Sequence, residues 1–184
     1  MKELTRRGLF AVAAAAVLTP VSKVQAAGRR AVVCYSRTGN TWALAEMIAE
    51  AAKADLFRID VAEPYAVSYG AMTDGARAEV MRHAKRTLKT PIPDLSGYGT
   101  VFVGSPYWWG SLSTPMNTFL MDNPLTGKTV YPFITSGSSS PDGALERIRA
   151  LVAGTVGDYF YVPGADAVSA RRDIERWVKR LNLV

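Results

Sequence analysis

Cysteine and histidine are nearly missing from this 184-residue chain: Cys34 and His83 stand alone of their kinds. One cysteine cannot form an internal disulfide, so no covalent framework holds the fold. Without a Cys/His cluster a metal site would have to rest on carboxylates alone, and no metal is expected. The apolar run Leu9 to Leu18 falls short of the roughly twenty residues that a bilayer-spanning helix needs. Three familiar anion loops are absent as well. No stretch reads G-x-x-x-x-G-K-[ST], Gly39 stands without the partners of a G-x-G-x-x-G loop, and a Cys-x5-Arg loop starting at Cys34 would need arginine where Asn40 stands. Nothing has the spacing of a general acid, base or nucleophile, so no catalytic residue is expected, and no nucleic-acid partner either. His83 lies among Arg82, Lys85 and Arg86, on what reads as the solvated side of a helix.

What is present begins with Met1 to Ala27, which has the composition of a removable export signal. Lys2, Arg6 and Arg7 make a basic start, the alanine-rich apolar run follows, and Val24-Gln25-Ala26 offers small residues for cleavage. Thr5-Arg6-Arg7-Gly8-Leu9-Phe10 resembles the twin-arginine signal of bacterial proteins exported already folded. The expected organisation is therefore a signal over residues 1–27 and one domain over 28–184, delivered to the periplasm with no stable membrane anchor after cleavage. Cutting after Ala26 leaves 158 residues (184 minus 26), enough for one substantial core. It also removes four basic residues and one acid, which takes the formal charge from +6 to +3.

The domain opens on Ala31-Val32-Val33-Cys34-Tyr35, an apolar run that reads as a buried parallel strand. Cys34 is then a small core residue. The strand leads into Ser36-Arg37-Thr38-Gly39-Asn40-Thr41, and an apolar-periodic helix follows at once. A loop wrapped over a helix N-terminus collects open backbone N–H groups and the positive end of the helix dipole, which favours an anion. The hydroxyls add uncharged donors suited to a tightly held phosphate monoester. The competing reading is an ordinary turn with helix-capping hydroxyls.

Further along, residues 55–61 read as an edge strand, 71–88 as a basic amphipathic helix and 100–104 as a second buried strand. The loop after that strand carries Pro106-Tyr107-Trp108-Trp109-Gly110, an aromatic surface at the strand end where open α/β sheets bind ligands. One of the two tryptophans is expected to be a packing residue. Residues 115–121 form a helix and 129–134 a strand, in which Pro132 fits poorly because it cannot donate to a ladder. Ser136-Gly137-Ser138 begins a third donor-rich loop. The remainder is a helix over 144–152, a fifth strand over 158–162 and a closing helix over 168–181 whose period makes Trp177 core.

The loop Ser36, Thr38, Gly39, Thr41 resembles the [ST]-x-T-G-x-T phosphate loop of the flavodoxin family, and Pro106-x-Trp108-Trp109-Gly110 is similar to one flavodoxin-like subgroup. That resemblance implies an α/β, flavodoxin-like, doubly wound five-stranded parallel sheet of order 2-1-3-4-5 with helices on both faces, and FMN as cofactor. It implies cofactor contacts from Ser36, Arg37, Thr38, Gly39, Asn40 and Thr41, from Pro106, Tyr107, Trp108, Trp109 and Gly110, and from Ser136, Gly137 and Ser138. The third loop departs from flavodoxins that carry a covering tyrosine there, which leaves one ring face open. The chain also lacks the strong acidity usual in flavodoxins that shuttle electrons between soluble proteins. Three roles follow: an exported electron carrier, a flavin-dependent oxidoreductase acting on a quinone or other small acceptor, and a non-redox binding module. The redox partner, whether protein, quinone or small molecule, is not specified by the sequence.

Overall fold

The central strand β1 (Arg30–Tyr35) is buried from Ala31 onward, and the two-residue period of its side chains divides the molecule into two cores. Val33 and Tyr35 enter one, Val32 and Cys34 the other. This arrangement comes from a computed structural model describing residues 28–89, 91, 93–164 and 168–183; the expected export signal, residues 1–27, lies outside them. The remaining elements are α1 (Asn40–Ala52), β2 (Asp55–Ile59), α2 (Tyr69–Met81), β3 (Thr100–Trp108), β4 (Ser111–Leu112) and α3 (Thr114–Asp122). They continue with β5 (Thr129–Ser136), α4 (Asp142–Leu151), β6 (Thr155–Val156), β7 (Phe160–Pro163), a short 3-10 turn and α5 (Arg171–Arg180).

The strands run in the order β2-β1-β3-β5-β6, each pair parallel, with β7 also parallel to β5 on its outer edge. This is the expected doubly wound sheet of order 2-1-3-4-5, with β5 in fourth place and the fifth filled by two short pieces. Helices α3 and α4 supply Met116, Phe119, Leu145 and Ile148 to one core. Helices α1 and α5 supply Leu44, Ile48, Ile174 and Trp177 to the other. Trp177 is fully buried against Phe102 and Phe160, at centroid distances of 5.6 and 5.4 Å. Cys34 is wholly enclosed, and burial pushes its thiol far up from the ordinary value.

Three expectations need correction. The helix expected over 71–88 begins at Tyr69 and ends at Met81. Beyond it Arg86 turns inward to Glu79 and Leu88 forms an antiparallel bridge with Val61, so tertiary contacts take the chain out of the helix. Arg82, His83 and Lys85 are exposed, as expected, though outside the helix, and Lys85 pairs with Asp122 while the half-buried Arg86 pairs with Glu79. The strand expected over 100–104 continues to Trp108 and turns back as the small antiparallel pair β3–β4.

The fifth strand, expected whole over 158–162, is broken into β6 and β7. Pro132 gives the reason. Lys128, Val130 and Ser136 direct their carbonyls at the outer neighbour, so the residues of β5 in even register face that edge. Pro132 faces it too and has no N–H to give, and it is opposite that residue that the neighbour is interrupted.

Candidate functional site

The C-terminal ends of β1, β3 and β5 open together into a cleft of about 670 Å3. It is lined from the first loop by Arg37, Thr38, Asn40 and Thr41, from the second by residues 106–110, and from the third by Thr135, Ser136, Gly137, Ser138 and Ser139. Every candidate contact named from the sequence lines it except Ser36 and Gly39. Those two shape the first loop from behind: the Gly39 N–H donates to Ser36 Oγ at 3.1 Å, and Gly39, at φ 95°, delivers the chain into α1. No side chain caps α1, so the N–H groups of its first turn stay open and the helix-capping account of the hydroxyls fails. Thr41 Oγ1 instead shares a buried hydrogen bond of 2.8 Å with Thr135 Oγ1, joining the first loop to the third. Thr38, Asn40 and Ser138 make no side-chain hydrogen bond among the described residues.

The second loop is a two-residue hairpin. Trp108 pairs with Ser111, and the intervening Trp109 and Gly110 have φ of 48° and 83°, the left-handed pair that such a turn requires. Glycine adopts that conformation freely; for tryptophan it costs on the order of 1–2 kcal/mol. Three contacts hold the turn. Trp109 Nε1 donates to the carbonyl of Thr73 on α2 at 2.9 Å, the Arg77 guanidinium lies 5.0 Å over the indole, and the Gly110 backbone packs on Gly143 at the start of α4. The last approach is so close that a Cβ on Gly143 would stand 2.0 Å from the Gly110 carbonyl oxygen.

The two tryptophans therefore do different work. Trp108 is the packed one, meeting Tyr35 edge-on at 5.8 Å and Tyr65 at 5.0 Å. Behind it the Tyr65 hydroxyl donates to Glu79 Oε2 at 2.6 Å, and Arg86 covers the Tyr65 ring at 3.8 Å while pairing with Glu79. Burial pushes the Tyr35 hydroxyl up to about 12, and burial, with the Glu79 bond second, raises that of Tyr65. Both remain neutral packing partners at physiological pH. Trp109 is 43% exposed at the mouth.

In the third loop Ser136 Oγ and the Tyr161 hydroxyl both donate to the Ser139 carbonyl, and the Gly164 N–H donates to the carbonyls of Ser136 and Gly137. The turn is tied from the edge strand. One wall of the cleft was not anticipated: Tyr69, Met72, Thr73 and Ala76 of α2, together with Gly164. Met72 and Ala76 carried the period of an apolar helix face, which a core position carries equally. Among the described residues of the lining Arg37 is the sole charged one, and none of them is a carboxylate, imidazole, thiol or amine.

A family model described as Flavodoxin matches residues 29–181. Among solved structures, the chain is similar to a protein of Bacteroides uniformis assigned as a flavoprotein, at 28% identity and a TM-score of 0.72 over 83% of this chain and 98% of that one. A Bacteroides eggerthii protein assigned likewise has 26% identity and a TM-score of 0.69 over 84% of this chain and 98% of that one. A flavoprotein of Lactobacillus acidophilus, solved in complex with FMN, shares the fold at 21% identity and a TM-score of 0.67, over 79% of this chain and 99% of that one. No curated protein matches.

Proposed function

Because this chain belongs to the flavodoxin family, we propose that its cleft holds FMN and that the protein acts in electron transfer after export to the periplasm. The observation that carries the cofactor is the meeting of three strand-end loops around one cleft, each offering uncharged donors or aromatic surface. The donor set fits the group. Thr38, Asn40 and the open amides of α1, with Thr41 beside them, would hold the phosphate, where neutral donors and the helix dipole favour an anion. Trp108 and Trp109 would offer surface to the flat ring, and Ser136, Gly137 and Ser138 would face its polar edge. The relative solved with FMN supports the same assignment.

When bound, the flavin supplies reversible uptake of one or two electrons. The chain's own residues do the rest. The hairpin fixes the indoles, the Thr41–Thr135 bond sets the spacing of the phosphate and ring loops, and the packed Trp108–Tyr35–Tyr65 cluster excludes water on its side. With no acid, imidazole, thiol or amine among the described residues of the lining, these residues bind and orient the cofactor and leave the redox chemistry to it.

A second reading, an oxidoreductase acting on a quinone or other small planar acceptor, is favoured by one feature: the third loop presents serine and glycine and no aromatic cover. Potentiometric and stopped-flow reduction separate the two. A carrier takes electrons singly from a protein donor; an oxidoreductase accepts two together from a pyridine nucleotide or quinol.

The mature protein purified with FMN should be yellow and should quench flavin fluorescence on titration; colourless protein without quenching ends the reading. Export rests on the basic start, the short apolar run and the twin arginines. Replacing Arg6 and Arg7 with lysine should hold the protein in the cytoplasm, and unchanged export would exclude that route.

A further inference from the structure

Tyr69 is a large aromatic residue that the molecule itself does not use. It is 75% exposed, lines the cleft, and makes no hydrogen bond or ring contact among the described residues. Its backbone is nonetheless fixed from both sides by residues of the cleft loops. Just before it, Arg37 Nη2 of the first loop donates to the carbonyls of Ala66 and Val67, each at 3.0 Å. One helical turn after it, Trp109 Nε1 of the second loop donates to the carbonyl of Thr73. These are long-range bonds that tie a distant segment to the loops. An exposed side chain gains nothing for the fold from such anchoring; a ligand surface does.

We propose that Tyr69 is a ligand-contact residue of the cleft, laying its ring against the planar part of the bound flavin, and that Arg37 serves as the strap that positions it. This rests on the FMN reading and adds to it. The aromatic surface that the third loop lacks comes from α2, and Arg37, which sequence alone would assign to the phosphate, acts on the ring end through the backbone of residues 66–67.

The test uses FMN and riboflavin, which share the ring and differ in the phosphate, on the mature protein. Tyr69→Ala should weaken both flavins by the same factor, about threefold to tenfold, the range of a lost aromatic pair. It should also relieve part of the fluorescence quenching, and Tyr69→Phe should restore both. The residue is too exposed for its removal to unfold the protein, and an unchanged denaturant midpoint checks this. Unchanged affinity and quenching in Tyr69→Ala, with yellow wild-type protein, overturns the contact and leaves the FMN reading standing. Wild-type protein that takes up neither flavin ends both.

Arg37→Gln tests the strap with riboflavin, where no phosphate intervenes. The strap requires riboflavin affinity to fall in the Tyr69 protein and to stay unchanged in the Tyr69→Ala background, a coupling that a double-mutant cycle reads directly. Equal losses in both backgrounds, or none in either, overturn it.

Discussion

The two ends of the central sheet are both polar, and they manage that polarity in opposite ways. At the N-terminal ends of the strands the groups satisfy one another. Arg29 donates to Asp55 and to the Tyr98 hydroxyl, Tyr98 donates to Asp55, and Lys128 donates to the carbonyls of Leu95 and Tyr98. At the C-terminal ends Thr38, Asn40 and Ser138 have no side-chain partner among the described residues, no side chain caps α1, and a tryptophan sits in a left-handed turn. A donor set completed within the chain is structure; one left open around a cleft, with backbone strain beside it, marks where something else binds.

The largest effect that would sharpen this contrast lies at two tight backbone approaches, one at each end. A Cβ on Gly143 would stand 2.0 Å from the Gly110 carbonyl oxygen, and one on Gly154 2.3 Å from that of Lys128. Gly143→Ala and Gly154→Ala should each lower stability by about 1–3 kcal/mol in denaturant melts. Flavin titration should then separate them, since Gly143→Ala displaces the Trp109–Gly110 turn and costs at least about tenfold in FMN affinity, or 1.4 kcal/mol, while Gly154→Ala leaves the folded fraction binding normally. Equal binding losses would break the contrast.

A middle-sized effect is expected from the unpartnered donors. Thr38→Val and Asn40→Ala should leave the melting midpoint within about 0.5 kcal/mol of wild type. Each should weaken FMN about tenfold or more while sparing riboflavin, because a bond to a charged acceptor is worth about 1.5–3 kcal/mol. Arg29→Ala, at the opposite end, should lower stability only slightly, as loss of an exposed pair does, and should not change FMN affinity. The smallest effect is at Asp55. The Tyr98 bond first and the Arg29 bond second hold its carboxyl below the ordinary value. A depressed folded value means that its contribution is present above the unfolded value, about 4, and is lost as pH falls through the folded one. Asp55→Asn should slightly flatten the stability profile below that pH, and no flattening would remove the carboxyl from the account.

Much of the cleft end was legible because its signals are local. Ser36 to Thr41 announce a loop at a strand end by their letters alone, and Pro106 to Gly110 and Ser136 to Ser138 stand at the ends of their own apolar runs. The missed wall was not local. Tyr69 begins a helix that is thirty residues from the first loop and forty from the hairpin, and its neighbours Met72 and Ala76 carry the period of an ordinary core face. The end of α2 at Met81 was equally hidden, since no glycine or proline stands there and the helix yields to the inward turn of Arg86. Pro132 gave a true warning whose consequence fell on another strand.

By itself the sequence determined the alternation of strands and helices and the chemistry of three loops, because periodicity and turn composition act over a few residues. Tertiary structure alone decided which tryptophan packs and which stands at the mouth, that α2 forms a wall, and that Arg37 reaches the backbone before Tyr69. Those outcomes depend on distances between segments far apart in the chain, which only the register of the sheet brings within a hydrogen bond of one another.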